Sequence, residues 1–376
     1  MPQADEYITW RGDLSFAQDP VNEVDNLIFC LLSYVDLDGI VSADHAHPIS
    51  VREAAKEYFF THDPDEKLPL GLIIPKEILK LFRQMAQSTR FGDVLLTGYV
   101  NETCIERAVQ FSAVTAHLPG GKVFVAVRGT DDTIVGWRED FNLSWMDEVP
   151  AQRMTAEYLN ALPLAAGESL YVGGHSKGGN LAVWGAVHAS DRVKDRITAV
   201  YSNDGPGFSE ELLRSAAYLS MRDRIHIFIP QSSLVGLLLP HDDYVVIRSK
   251  HVGVFQHNGL TWEVMGNRFV RQEKLSLTGQ RHDTVVSARI AGMTREEKQT
   301  LTDLLFGVVE STGATTLTEL NEGSVRNTVA MLRAVNGMDN DTKDMALFLL
   351  LKLFDIAPGI KSRSRSGRTL RLYFGV

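Results

Sequence analysis

The sequence predicts an α/β fold, a mostly parallel sheet flanked by helices, and three observations carry that expectation. Between about residues 91 and 280, apolar runs of strand length alternate with amphipathic runs of helix length, as in strands joined by helical crossovers. One run, Lys122-Val123-Phe124-Val125-Ala126-Val127, is apolar at every position after the first, as a strand covered on both faces requires. A glycine-rich junction, Val172–Asn180, leaves a strand and enters a helix near the middle of the chain. With 376 residues, 44% hydrophobic and 23% charged, the chain has the composition of an ordinary globular protein, which sets aside collagen-like, coiled-coil and disordered classes.

The first ninety residues read as helical. The apolar run Asn26–Val35 follows the acidic Glu23 and Asp25, which suits a buried helix with negative charge in its first turn. Helical spacing recurs over Val51–Phe60 and over Pro75–Gln87, with loops at His62-Asp63-Pro64-Asp65 and Leu68-Pro69-Leu70-Gly71. From about Phe91 the period changes. Cys104–Leu118 alternates like one strand, Pro119-Gly120-Gly121 is a turn, and Lys122–Val127 is the next strand. Ser169–Gly174 is a strand running into a helix over Asn180–Ala189, and strands follow at Ile197–Ser202, Arg224–Ile229, Tyr244–Arg248 and Leu260–Val264. After about Arg281 amphipathic helices return, at Thr294–Leu305, Thr316–Leu320, Ser324–Ala334 and Asp341–Phe354. The tail carries Lys361, Arg363, Arg365, Arg368 and Arg371 among serines and reads as solvated. The expected organisation is a helical region over 1–90 packing on the core, a core over 91–280, and a helical region with a basic tail over 281–376.

Charge and cysteine content narrow the classes further. A net charge of −9 argues against a sequence-independent nucleic-acid binder, which needs clustered cations. No apolar stretch reaches the ~18 residues of a membrane span, and the first residues, Met1-Pro2-Gln3-Ala4-Asp5-Glu6, lack the regions of a secretory signal. Cys30 and Cys104 make no disulfide framework and fit a reducing compartment, so a cytoplasmic location is expected. His45-Ala46-His47 reads as a surface turn rather than a ligand pair, no phosphate-binding loop is present, and no metal or cofactor is expected.

The strongest chemical signal is G-x-S-x-G, spelled Gly174-His175-Ser176-Lys177-Gly178, immediately after a strand and before a helix. A serine on so sharp a turn projects its hydroxyl above the sheet, and flanking glycines let strand and helix approach without Cβ clashes. A hydroxyl needs a positioned base to become a nucleophile. His257, in the turn Phe255-Gln256-His257-Asn258-Gly259 ahead of the last strand, is the candidate base, with His251 in reserve. His188, within the helix, and His226, within a strand, read as structural. The acid is open between Asp204, at the end of the strand after the serine's helix, and Asp242 or Asp243 in the following segment. Two backbone N–H groups are expected to form an oxyanion hole, from Lys177 after the serine and from Thr130 after the apolar strand. The Lys177 side chain is expected to be solvated or ion-paired. Phe208, Leu212, Leu213 and Tyr218 recur at helical spacing over Gly205–Tyr218, which reads equally as a lid or as an ordinary packed helix.

Together these residues resemble the class 3 lipases of the α/β-hydrolase fold. The matching pieces are Val127-Arg128-Gly129-Thr130, Trp137 with Asp140, Gly174-His175-Ser176-Lys177-Gly178-Gly179, and His257 ahead of Trp262. More closely, the chain resembles a lipase-like family of bacterial proteins catalogued as a domain of unknown function. That resemblance rests on Asp25, Arg128-Gly129-Thr130, His175 to Asn180, Asp204-Gly205-Pro206-Gly207-Phe208 and Gln256-His257. It spans about Val24 to Trp262, and one departure stands out. Class 3 lipases usually take the acid from the end of the strand that here reads Ile225–Ile229, where this chain has Pro230-Gln231-Ser232-Ser233 and no carboxylate. The resemblance implies an α/β-hydrolase fold and a serine hydrolase acting on a small-molecule or lipid ester. The rival readings are a non-catalytic regulatory or interaction module on the same fold, and an acyltransferase or thioesterase using the same triad.

Overall fold

The structure, a computed structural model, describes residues 1–62, 77–277, 279 and 292–322. Four helices come first, α1 (Ala4–Arg11), α2 (Glu23–Leu32), α3 (Val51–Thr61) and α4 (Glu77–Gln87), with a two-residue strand β1 (Ile49–Ser50) before α3. Strands β2 (Leu95–Cys104), β3 (Val109–Leu118) and β4 (Lys122–Val127) lead to helices α5 (Ile134–Asn142) and α6 (Pro150–Ala161). Then come β5 (Ser169–His175), α7 (Lys177–His188), α8 (Asp191–Lys194), β6 (Ile197–Asn203), α9 (Glu210–Arg214), α10 (Ala216–Met221), β7 (Ile225–Pro230) and β8 (Val245–Ile247). A hairpin of β9 (Val264–Met265) and β10 (Arg268–Phe269) is followed by α11 (Arg295–Glu310) and α12 (Leu317–Glu322). The expected helices over Ser324–Ala334 and Asp341–Phe354, the basic tail, and the loops at 63–71 lie outside the described residues.

Strands β1 to β8 form one sheet in sequence order. The pairs β4–β5, β5–β6, β6–β7 and β7–β8 are parallel, and β1 to β4 add an antiparallel edge. A parallel sheet of this order with helices on both faces is the α/β-hydrolase fold. The alternation along β4 shows why its sequence is apolar throughout. Phe124 and Ala126 enter the core shared with α1 to α4, whereas Val123, Val125 and Val127 enter the core shared with α6 and α7. Helix α2 starts as its acidic first turn suggested, and one of the two acids there, Asp25, is fully buried. Asp25 accepts from the Arg90 guanidinium at 2.7 and 2.5 Å, and from the Asn22 N–H at 3.0 Å, so the N-terminal helices are tied to the segment entering the sheet.

Two local expectations are corrected. The alternating run Cys104–Leu118 is not one strand, because β2 ends at Cys104 and the turn Ile105-Glu106-Arg107-Ala108 intervenes before β3 starts at Val109, so the alternation runs across a hairpin. Leu260–Val264 is not one strand, since Gly259–Thr261 forms a 3₁₀ turn capped by the Asn258 side chain; Trp262 and Glu263 form only isolated bridges, to Ser249 and Gln3, and the short strand β9 begins at Val264. The segment Gly205–Tyr218 folds as short packed elements: Phe208, Leu213 and Tyr218 are buried in the cluster that contains Leu181 and Val183 of α7.

Among the described residues the C-terminal elements meet the core around α5, where Arg295 also pairs with Asp147 at 3.0 Å. Helix α11 packs on α5 through Phe141 and Phe306, whose ring centroids are 5.3 Å apart, and through Arg138 paired with Asp303 and Glu310. Just before α12, Thr316 pairs with Thr133 as an antiparallel bridge; Ile134 N donates to Thr315 O, and Leu317 N to Asp132 O, each at 2.9 Å. Among the described residues no helix is long and apolar enough to cross a membrane.

Candidate active site

Ser176 occupies the turn between β5 and α7 with φ 59° and ψ −136°, a backbone region that side chains rarely adopt. Its N–H donates to Asn203 O at 3.0 Å, and Asn203 in turn exchanges amide hydrogen bonds with Asn26 of α2 at 2.9 and 3.1 Å. The flanking glycines are sterically required. A Cβ on Gly174 would lie 2.0 Å from the Gly178 carbonyl oxygen, and one on Gly178 would lie 2.2 Å from that of Val127. Ser176 Oγ makes no hydrogen bond among the described residues; contacts of nucleophiles with their bases are often long without substrate and tighten in the complex.

His257 ends a 3₁₀ turn over Gly253–His257, and its ring centroid lies 4.6 Å from that of His175, the residue preceding Ser176. Its Nδ1 is 2.7 Å from Asp204 Oδ2, an arrangement that places the proton on Nδ1 and leaves Nε2 as an acceptor. Asp204 follows β6 with φ 54°, is fully buried, and donates its N–H to Phe228 O at 2.8 Å. Its second oxygen accepts the Ser233 hydroxyl at 2.5 Å. The other acid candidates are elsewhere engaged: Asp242 pairs with Arg222 at 2.5 Å, and Asp243 caps the Tyr244 N–H at 2.8 Å. His251, the reserve base, gives its carbonyl to Gln256 Nε2 and lies exposed.

The loop that carries His257 is held from several sides. Gln256 Oε1 accepts from Ser232 N at 2.8 Å, and Trp262 Nε1 donates to Gln256 O at 2.8 Å. His175 Nε2 donates to His257 O at 2.7 Å, while Tyr34, just past the end of α2, donates to His175 Nδ1 at 3.1 Å. Burial, with His257 beside it, pushes His175 well below the usual imidazole range, so it works as a neutral strut.

Thr130 lies in the loop after β4, its hydroxyl donating to Asp140 Oδ2 of α5 at 2.7 Å. Burial pushes the Asp140 carboxyl up to about 7, against the pull of Lys177. Gly129 packs this loop against the serine turn: a Cβ there would meet His175 O and Tyr34 Oη, each at 2.3 Å. Lys177 is fully buried and not solvated. Its Nζ donates to Glu139 Oε2, Gln110 O and Gln110 Oε1, each at 2.8 Å. Lys177→Met should therefore leave the Glu139 charge uncompensated in the interior and cost about 3–5 kcal/mol, read from the midpoint of urea unfolding.

Sequence reading missed Ser233, Glu139, Gln110 and Tyr34. Each lies far along the chain from the residue it serves, and only the Arg-Gly-Thr and G-x-S-x-G motifs carry a local signal. Among the described residues no group of three or more His, Cys, Asp or Glu could hold a metal ion; His45 instead bonds Thr97 and His47 bonds Asp44.

A serine held at positive φ on a strand-to-helix turn of a mostly parallel sheet flanked by helices is the architecture of an α/β-hydrolase fold. The model of the Mbeg1-like family matches residues 85–307, more than half of the chain, and the chain belongs to that family. No curated protein matches it. Among solved structures, the crystal structure of M37 lipase is similar with a TM-score of 0.34 at 16% identity, covering 58% of this chain and 70% of that one.

Proposed function

We propose that this protein is a serine hydrolase that cleaves carboxylic esters of small molecules or lipids. The observation that carries the reading is the 2.7 Å contact of Asp204 Oδ2 with His257 Nδ1, beside a serine held at positive φ. In this reading Ser176 Oγ attacks the acyl carbon while His257 Nε2 takes its proton. Asp204 holds the imidazole tautomer and stabilises the imidazolium that forms. The backbone N–H groups of Lys177 and Thr130 receive the oxyanion, and Asp140 fixes the Thr130 side chain. The proton on His257 then passes to the departing alkoxide, and water attacks the acyl-enzyme with His257 as base. We assign the chemistry to residues 91–280, with 1–90 and 281–376 as additions to that core.

The test is labelling of the intact chain with a fluorophosphonate probe, followed by mapping of the adduct and assay of short-chain p-nitrophenyl esters. A covalent adduct on Ser176 together with ester turnover is the expected result. A folded chain that takes no label overturns the reading in favour of a non-catalytic module.

A further inference from the structure

We propose that Ser233 is a positioning residue that holds the acid of the triad, and that the Ser232-Ser233 dipeptide keeps acid and base in register. The inference rests on the hydrolase reading above, and it adds a residue that no motif marks. Asp204 is fully buried, so each carboxylate oxygen needs a hydrogen-bond donor. Oδ2 has the His257 imidazole; Oδ1 has the Ser233 hydroxyl at 2.5 Å.

The direction of that hydroxyl is fixed as well. Gly236 N donates to Ser233 Oγ at 3.0 Å, which occupies the oxygen as acceptor and leaves its proton for Asp204. Gly236 also makes room, because a Cβ there would stand 2.4 Å from Asp204 Oδ1. The result is a chain of donors, Gly236 N–H to Ser233 O–H to the carboxylate, ending at the imidazole N–H. The adjacent Ser232 performs the matching task on the base, since its N–H donates to Gln256 Oε1 next to His257.

The loop after β7 is the place from which class 3 lipases usually supply the carboxylate itself. Here the acid stands one strand earlier, and the loop supplies the hydroxyl that clamps it. Asp204 takes a left-handed backbone, φ 54°, which aspartate tolerates better than most residues, so the aim of its carboxylate is set by the partners of its two oxygens.

The kinetic test compares wild type, Ser233→Ala, Asp204→Asn and the double variant in ester turnover, with folding checked by circular dichroism melts. Ser233→Ala should lower kcat about 10–100-fold with KM changed less than about threefold. In the Asp204→Asn background the same substitution should cost less than about threefold, because Ser233 acts through that carboxylate. Equal losses in both backgrounds, or an unchanged kcat, overturn the proposal. Ser233→Cys, which keeps a donor on the same stem but a weaker and bulkier one, should fall between wild type and Ser233→Ala, and it serves if the alanine variant does not fold. A second measurement needs no turnover. With selectively ¹⁵N-labelled histidine, the low-field Nδ1–H resonance of His257, identified by its loss in His257→Ala, should shift in the Ser233 variant. An unmoved resonance overturns the role of Ser233 whether or not the protein hydrolyses esters, whereas a missing fluorophosphonate adduct on wild type sinks the hydrolase reading alone.

Discussion

Ser176→Gly is expected to abolish ester turnover and probe labelling while making the protein more stable. Loss of a triad nucleophile typically costs roughly 10⁴–10⁶-fold in kcat. The stability gain comes from the backbone. At φ 59° and ψ −136° a non-glycine residue carries about 1–3 kcal/mol of strain, which glycine relieves. Part of that gain is returned, because glycine is the more flexible residue in the unfolded chain by roughly 0.5–1 kcal/mol. The net expectation is about 1 kcal/mol of added stability, seen as a higher denaturation midpoint at unchanged slope. Ser176→Ala serves as the control: it loses the same activity and keeps the strain. If the glycine variant proves less stable than the alanine variant, the serine turn is not strained in the sense proposed.

Asp204→Asn should lower kcat by about 10⁴-fold with KM nearly unchanged. The asparagine amide can occupy the same space, so packing survives, but it carries no charge to balance an imidazolium. It also turns an N–H donor toward His257 unless the amide reverses, and either orientation disturbs the tautomer that leaves Nε2 free to accept. Asparagine tolerates φ 54° at least as well as aspartate, so the loss should not come from unfolding. The companion variant is Asp242→Asn, whose carboxylate pairs with Arg222 and is partly exposed. It should change kcat by less than about twofold, as surface ion pairs contribute little. Should only Asp242→Asn lose turnover, Asp204 is not the acid.

Much of this geometry was legible because its signals are local. Apolar runs of strand length set the strands from Lys122 onward, and the glycines around Ser176 announce a turn where backbones touch. The position of Asp204 at the end of β6 followed from the strand pattern, but sequence left it open beside Asp242 and Asp243. The structure brings Asp204, and neither of the others, to His257. Ambiguity entered where periodicity spans a turn, as at Cys104–Leu118, and where apolar residues serve a 3₁₀ turn, as at Leu260–Thr261. Lys177 shows a different limit. Its burial depends on Glu139 and Gln110, separated from it by 38 and 67 positions, and charge pairing at that distance leaves no trace in local pattern.

The bridge between Thr133 and Thr316 has a consequence for where this protein begins and ends as a working unit. The family match stops at 307 and starts at 85, so Thr315, Thr316 and Leu317 at one end, and Asn26 and Tyr34 at the other, fall outside it. Yet these outlying residues grip the loop that follows Thr130, the strand end behind Ser176, and the imidazole beside His257. A chain cut to the matched borders would keep every motif and lose the struts that aim them. Kinship and working geometry have different borders here, and any shortened version meant to keep the site intact has to run from α2 through the start of α12.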